Sequence, residues 1–268
     1  MDPVYFDTHT HLQDTRYGAE VDAVIDRALA AGVAHMVACG TEERDWPAVL
    51  DLAERRRCVV PLLGLHPWFV GRAEPGWFKA LEDRLRGCSA GIGECGLDFA
   101  IEDVDRTAQV AAFRAQLGLA REAGRPVSIH CRHAWEALET IVRDVRLPAP
   151  GAVVHAYSGS GEEALRLQRL GLHISFSCAL ANPANKRVAK AVLAVDEDHL
   201  LFETDSPDIP PRHLPEYREG RLNEPANIRL VAEAAARLRV QDQGVLAERA
   251  RRNALRVFGT PVSAAWPS

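Results

Sequence analysis

Apolar runs rich in Val, Ile and Leu alternate eight times with longer segments of helical period, and histidines and acids fall where the runs end. These observations predict an α/β fold, a (β/α)8 TIM barrel. A doubly wound open sheet would show the same alternation. The strand count favours the barrel, as does the spread of polar residues over so many strand ends, because a barrel gathers those ends into one ring. With 268 residues the chain matches a fold that commonly uses roughly 250 as one unit. Nothing resembling a linker, a low-complexity tract or a repeat beyond the βα unit divides it, so residues 1–268 are expected to form one domain.

In chain order, the first strand is expected at residues 4–7, leading into Asp7-Thr8-His9-Thr10-His11. A helix at 19–31 stops at Gly32, and a second strand at 34–39 precedes a helix at 44–56. The third strand, 59–65, delivers His66; after a helix at 76–86, the small and apolar run 90–93 delivers Glu94. A helix at 103–123 closes on Gly124, and strand five, 126–130, ends on His130. A helix at 135–145, strand six at 151–154 and His155 follow, then a helix at 161–170 stopped by Gly171. Strand seven at 172–177, a helix at 185–195 and strand eight at 199–203 lead to Asp205. The Pro-rich stretch 206–215 suits the rim of a site, and helices near 225–238 and 242–258 complete the outer layer.

Composition excludes the unusual classes: 47% hydrophobic and 26% charged residues describe an ordinary globular chain. The opening MDPVYFDTHTHL lacks the basic-then-apolar order of a secretory signal, and no apolar run approaches the roughly 18 residues that span a bilayer. A cytoplasmic protein without a membrane or an obligate protein partner is the expectation. Cys39, Cys58, Cys88, Cys95, Cys131 and Cys178 form no C-x-x-C pair, which argues against a zinc knuckle or redox dithiol. A net charge of −5 disfavours coating of duplex DNA, although bound dications would offset it where an anionic substrate arrives.

An isolated H-x-H is weak evidence of metal, since a lone strand histidine is more often a satisfied core residue. Here His9 and His11 are joined at successive strand ends by Glu94, His130, His155 and Asp205, a set that suits metal ligation. A buried single carboxylate is costly unless it is paired or coordinates metal, so Glu94 is expected to bridge two divalent ions. A carbamylated lysine is the alternative bridge, but Lys79, Lys186 and Lys190 all lie off the strands. Mixed imidazole and carboxylate donors favour zinc, manganese or iron, with magnesium also in play. Two such ions suit activation of water for phosphodiester hydrolysis.

DTHTHL, GLHP (64–67), GECGLD (93–98), PVSIHCR (126–132), HAYSG (155–159), ETDSP (203–207) and NEPANI (223–228), in this order, resemble the TatD family of metal-dependent deoxyribonucleases over almost the whole chain. The resemblance implies one metal on His9, His11, Glu94 and Asp205 and a second on Glu94, His130 and His155. It implies that Asp205 handles the proton of the attacking water, that His66 lies near the scissile phosphate, and that Arg132 and Tyr157 line the same pocket. Asp7 and Glu203, two residues before His9 and Asp205, are candidates for fixing the tautomers of ligand histidines, or else structural acids. His35, His133, His173, His199 and His213 match no motif position and are read as structural or surface residues.

HAYSG in place of HCFSG, Cys95, and ETDSPDI depart from the usual pattern without removing a ligand, so they bear on the pocket walls and the substrate. Lys186, Arg187 and Lys190 begin a helix that meets a phosphate chain or is simply solvated. The expected substrate is DNA, single-stranded or at frayed ends, cut as an exonuclease would. The alternative is a carbonyl substrate (a lactone, an amide or an aminoacyl-tRNA ester), because an activated water attacks either centre. A scaffold that has lost turnover would be expected to lack a ligand or His66, and none is missing.

Overall fold

The computed structural model describes residues 3–217 and 220–259. Its elements in chain order are β1 (Tyr5–Thr10), α1 (Val21–Ala30), β2 (Val33–Cys39), α2 (Trp46–Arg55), β3 (Val59–Leu63), α3 (Trp77–Arg86), β4 (Gly91–Asp98), α4 (Arg106–Ala123), β5 (Val127–Arg132), α5 (Trp135–Val145), β6 (Ala152–Val154), α6 (Gly161–Arg169), β7 (His173–Phe176), α7 (Lys186–Ala194), β8 (Leu200–Phe202), α8 (Ile228–Arg239) and α9 (Gln243–Phe258). The eight strands pair in sequence order, each parallel to the next. The seam between last and first strand is closed by backbone bonds: Asp205 N–H donates to His9 O at 3.0 Å and His11 N–H to Ser206 O at 2.7 Å. The fold is therefore the (β/α)8 barrel that the alternation predicts.

Three strands run further than expected. β1 continues through Thr10, β4 through Asp98 and β5 through Arg132, so His9 and Glu94 lie within strands rather than after them. The polar residues are tolerated because the neighbouring strand satisfies them, as where Thr10 Oγ1 donates to Val37 O at 2.7 Å. The pairing of β4 with β5 shifts register between Ile92 and Cys95, and that of β1 with β2 between Asp7 and Thr10. Such bulges bend a strand and re-aim its side chains, here at Glu94 and His9. Beyond the first bulge β4 runs so close to β5 that a Cβ on Gly96 would meet His130 O at 2.0 Å.

Local signals account for most helix ends. α4 begins at Arg106 rather than near 103 because Asp105 is extended and its side chain accepts from Ala108 N–H at 2.9 Å. Ser160 and Glu163 form a reciprocal capping box on α6. The segment expected to be helical from 225 opens instead with a 3-10 turn, Pro225–Asn227, before α8.

Most buried apolar residues lie in one large cluster that unites the strands with the helical ring. A second cluster draws Phe6, Val37, Val60, Leu62, Val153 and Leu201 from strands on opposite sides, so it fills the barrel interior. Val257 and Phe258 of α9 join it and stop the end of the barrel where the strands begin. The open end is therefore the other one, where the histidines and acids collect.

Candidate active site

His9, His11, His66, Glu94, His130, His155 and Asp205 come from six βα units and meet at a cavity of about 1050 Å³ at the carboxyl ends of the strands, all but His9 lining its wall. Glu94 stands at the centre. Its Oε2 lies 3.3 Å from His9 Nε2 and 3.2 Å from His11 Nε2. Its Oε1 lies 2.8 Å from both His130 Nδ1 and His155 Nε2. Asp205 Oδ1 completes the first group, 3.8 Å from His9 Nε2 and 3.6 Å from His11 Nε2. One carboxylate thus faces two donor sets, one with each oxygen.

The outer nitrogens of the imidazoles explain which can bind a cation. His11 Nδ1–H donates to the Cys39 carbonyl at 2.9 Å and His130 Nε2–H to Asp98 Oδ2 at 3.1 Å. His9 Nδ1 lies 2.8 Å from Ser128 Oγ, and His155 Nδ1 lies 3.5 Å from Glu203 Oε1. With oxygen outside, each ring presents a lone pair to the centre, the arrangement that metal-binding histidines adopt. His66 is inverted: its Nδ1 accepts Trp68 N–H at 3.1 Å, so the neutral ring carries its proton on Nε2, 3.1 Å from Glu94 Oε1. His66 is therefore a donor toward the cavity. It can join the cluster His66, Glu94 and His130 as a potential metal group only by giving up that proton.

Charge points the same way. Asp7, Glu94, Asp98, Glu203 and Asp205 are buried, while the one buried Arg or Lys among the described residues, Arg125, donates to Cys88 O. Buried carboxylates without buried cationic side chains leave a deficit that divalent ions fit. Burial pushes Asp205 up to about 7 against the pull of His155 and His11. Burial also lowers His9 and His66 to about 4. His11 is raised to about 9, because the hydrogen bond and charge of Glu94, with Asp205, outweigh its own desolvation. Glu94 is held well below the usual range, burial being outweighed by the surrounding imidazoles. A site that draws protons this strongly onto His11 could hold cations in their place.

The remaining sequence candidates take different places. Arg132 lines the cavity with its side chain half exposed, 3.3 Å from Asp98. Tyr157 forms part of the wall, but its hydroxyl donates to Ser160 O at 2.7 Å and is not free for a substrate. Asp7 does not meet a histidine ring. It accepts from Thr204 N–H at 3.0 Å and Thr204 Oγ1 at 2.6 Å, tying β1 to the turn that carries Asp205. Glu203 does adjoin His155, and also accepts Ala156 N–H at 2.6 Å. Lys186 and Lys190 are exposed, and Arg187 faces Glu163 at 3.4 Å beside a smaller cavity.

Sequence reasoning missed Ser128, Asp98 and Asn223. Ser128 stands two residues before His130 and Asp98 ends GECGLD; both lie in the motifs, but neither has a role visible without the rings they touch. Asn223 Nδ2 donates to Thr204 O at 2.8 Å, Asp208 O at 2.9 Å and Ile209 O at 3.1 Å. It clamps the loop that holds Asp205, whose φ of 55° lies in the left-handed region.

Comparison with known proteins adds relatives to this geometry. The family model "TatD related DNase" matches residues 6–259. The 3'-5' ssDNA/RNA exonuclease TatD of Enterobacter lignolyticus (strain SCF1) is 32% identical over 260 residues, covering 95% of this chain and 98% of that protein. The uncharacterized metal-dependent hydrolase YabD of Bacillus subtilis (strain 168) is 30% identical over 256 residues, covering 94% and 98% respectively. Among solved structures, the TatD homologue YjjV of Escherichia coli K12 superposes with a TM-score of 0.90 at 28% identity, covering 97% of this chain and all of that one.

Proposed function

Since the chain belongs to the TatD family of metal-dependent hydrolases of ester bonds, we propose that its barrel mouth hydrolyses phosphodiester bonds at the ends of single-stranded nucleic acid, DNA foremost, with two divalent cations. The observation that carries this reading is Glu94, whose two oxygens face two donor sets. One cation would be held by His9, His11, Glu94 and Asp205, the other by Glu94, His130 and His155. When bound, divalent ions acidify water and neutralise phosphate charge. Asp205 stands at the open edge of the cluster, where its carboxylate takes the proton of the attacking water. The Nε2–H of His66 points at the same space and donates to a phosphate or leaving oxygen. The half-exposed guanidinium of Arg132 meets a phosphate from the rim. The relatives named 3'-5' ssDNA/RNA exonuclease support the substrate class and its direction.

Single-stranded DNA labelled at either end, offered to metal-stripped protein reloaded with magnesium, manganese or zinc, tests the reading. A ladder growing from the 3' end is expected, and Glu94→Ala should abolish it while the thermal unfolding transition survives. Metal binding without cutting, together with turnover of an ester or lactone from a parallel panel, would transfer the assignment to a carbonyl substrate.

A further inference from the structure

The mouth of the barrel has two unlike halves. On the β1, β2 and β8 side its cations are matched by acids: Arg16 is gripped by Asp14 and Asp208, and Arg44 pairs with Glu42. The side from β3 to β6 also pairs its cations with acids, but sets aromatic rings among them. Trp68, in the turn after β3, leaves 51% of its surface exposed at the cavity wall. A single exposed ring is ordinary on a protein surface, but this one lines the cavity that holds Glu94. This one is not loose, because its indole N–H donates to the buried Asp98 at 2.7 Å and its ring stands edge-on to His66, 4.9 Å away.

Asp98 also holds Arg132, whose guanidinium lies next along the rim. Beyond Arg132 opens a second cavity of about 540 Å³, lined by Phe99, His133, Trp135, Arg166 and Arg187, with Ser158 in the wall of both cavities. Trp135 is braced on Tyr157 with ring centroids 5.1 Å apart. Arg166 donates to Glu139 and Arg187 to Glu163, but both carry further N–H groups, Arg187 being largely exposed. The rim thus reads aromatic, cation, aromatic. That is the alternation of base, phosphate and base in an unpaired strand, which proteins hold by stacking bases on rings and lining the backbone with positive charge.

We infer that the rim from β3 to β6 is the track of a single-stranded polynucleotide: Trp68 stacks one base, Arg132 meets the phosphate beside it, and the Phe99–Trp135 cavity receives the next base. The track rests on the nuclease reading of the site. It requires unpaired bases and therefore selects single strands. Because its second aromatic foothold lies beyond Arg132, it also makes turnover depend on chain length.

The test compares oligo(dT) of two, three, four and six nucleotides with bis(p-nitrophenyl) phosphate, a diester too small to reach the track. In the wild type, kcat/KM should rise between two and four nucleotides. Trp68→Ala should lower kcat/KM for every oligonucleotide roughly ten- to hundredfold, mainly through KM, with a loss at least tenfold smaller on the small diester. Trp68→Phe, which keeps a ring but has no N–H for Asp98, should recover most of the oligonucleotide loss. Phe99→Ala should flatten the rise with length and spare the dinucleotide. As a readout independent of turnover, oligo(dT) should quench tryptophan fluorescence of the wild type in EDTA, and Trp68→Phe should remove the quenching by the dinucleotide while longer oligonucleotides, which reach Trp135, still quench in part. Equal losses on oligonucleotide and small diester, without rescue by Phe, would show that Trp68 merely braces Asp98 and would overturn the track. A wild type that cleaves the small diester but no oligonucleotide would overturn the nuclease reading itself, and the track with it.

Discussion

At the scale of single residues, the side of each imidazole that faces oxygen decides what the ring can do. Five histidines share one cavity. Four have an oxygen acceptor or hydroxyl behind them, whereas His66 has a backbone N–H behind it. Removing the support of a ligand ring typically costs roughly ten- to hundredfold in metal affinity. Asp98→Ala should therefore weaken cation binding through His130 by about that factor, measured by titration calorimetry. His66→Asn should leave cation binding intact and lower kcat instead; if it weakens metal binding as Asp98→Ala does, His66 is a ligand after all. The candidate ligands were legible as residue types at strand ends. Their supports were not, because Ser128 stands 119 residues from His9 and the acceptor for His11 is a main-chain carbonyl 28 residues away. A carbonyl carries no signature in the choice of amino acid.

At the scale of elements, the βα rhythm was readable and the ends of the strands were not. Apolar content marks the half of a strand that faces the core; past residue 93, β4 continues as Glu94-Cys95-Gly96-Leu97-Asp98, where pairing with β5 rather than side-chain polarity keeps it extended. The same feature gives Asp7 the structural role of the two left open: with β1 extended through Thr10, its carboxylate reaches the turn after β8 rather than a histidine ring. Gly96 is where the approach of two strands is tightest. Gly96→Ala must push β5 outward or twist β4, at a cost of about 3 kcal/mol, the upper end of ordinary overpacking. The expected result is a lower denaturation midpoint together with loss of metal affinity through His130. A variant as stable and as metal-avid as the wild type would show that the two strands can part freely.

At the scale of the whole molecule, the two ends of the barrel respond differently to acid. His173 enters β7 at the stoppered end, half-buried, with ring centroids 5.3 Å from His199, and burial, with the charges of His199 and Arg256, lowers it to about 4. Its Nδ1 has no hydrogen-bond partner among the described residues. Between about pH 6.5 and 4 the unfolded chain binds a proton here that the folded barrel refuses, so stability falls as pH falls through that window. Its share at pH 5 is roughly 1–2 kcal/mol. His173→Leu should accordingly lose less of its melting temperature between pH 7 and 5 than the wild type does. Equal losses would place the acid sensitivity in other groups. None of the helices among the described residues is long and apolar enough to cross a membrane.

The stopper has a consequence for how the chain is made. The side chains that line the barrel interior from β1 onward wait for Val257 and Phe258, which are translated some 250 residues after Phe6. Until α9 leaves the ribosome the interior has one wet end and the seam between β1 and β8 has little to rest on. The nascent chain must therefore carry an unfinished, sticky barrel through nearly its whole synthesis, which makes it a natural client for holding chaperones and makes a chain cut short before α9 a poor survivor in the cell.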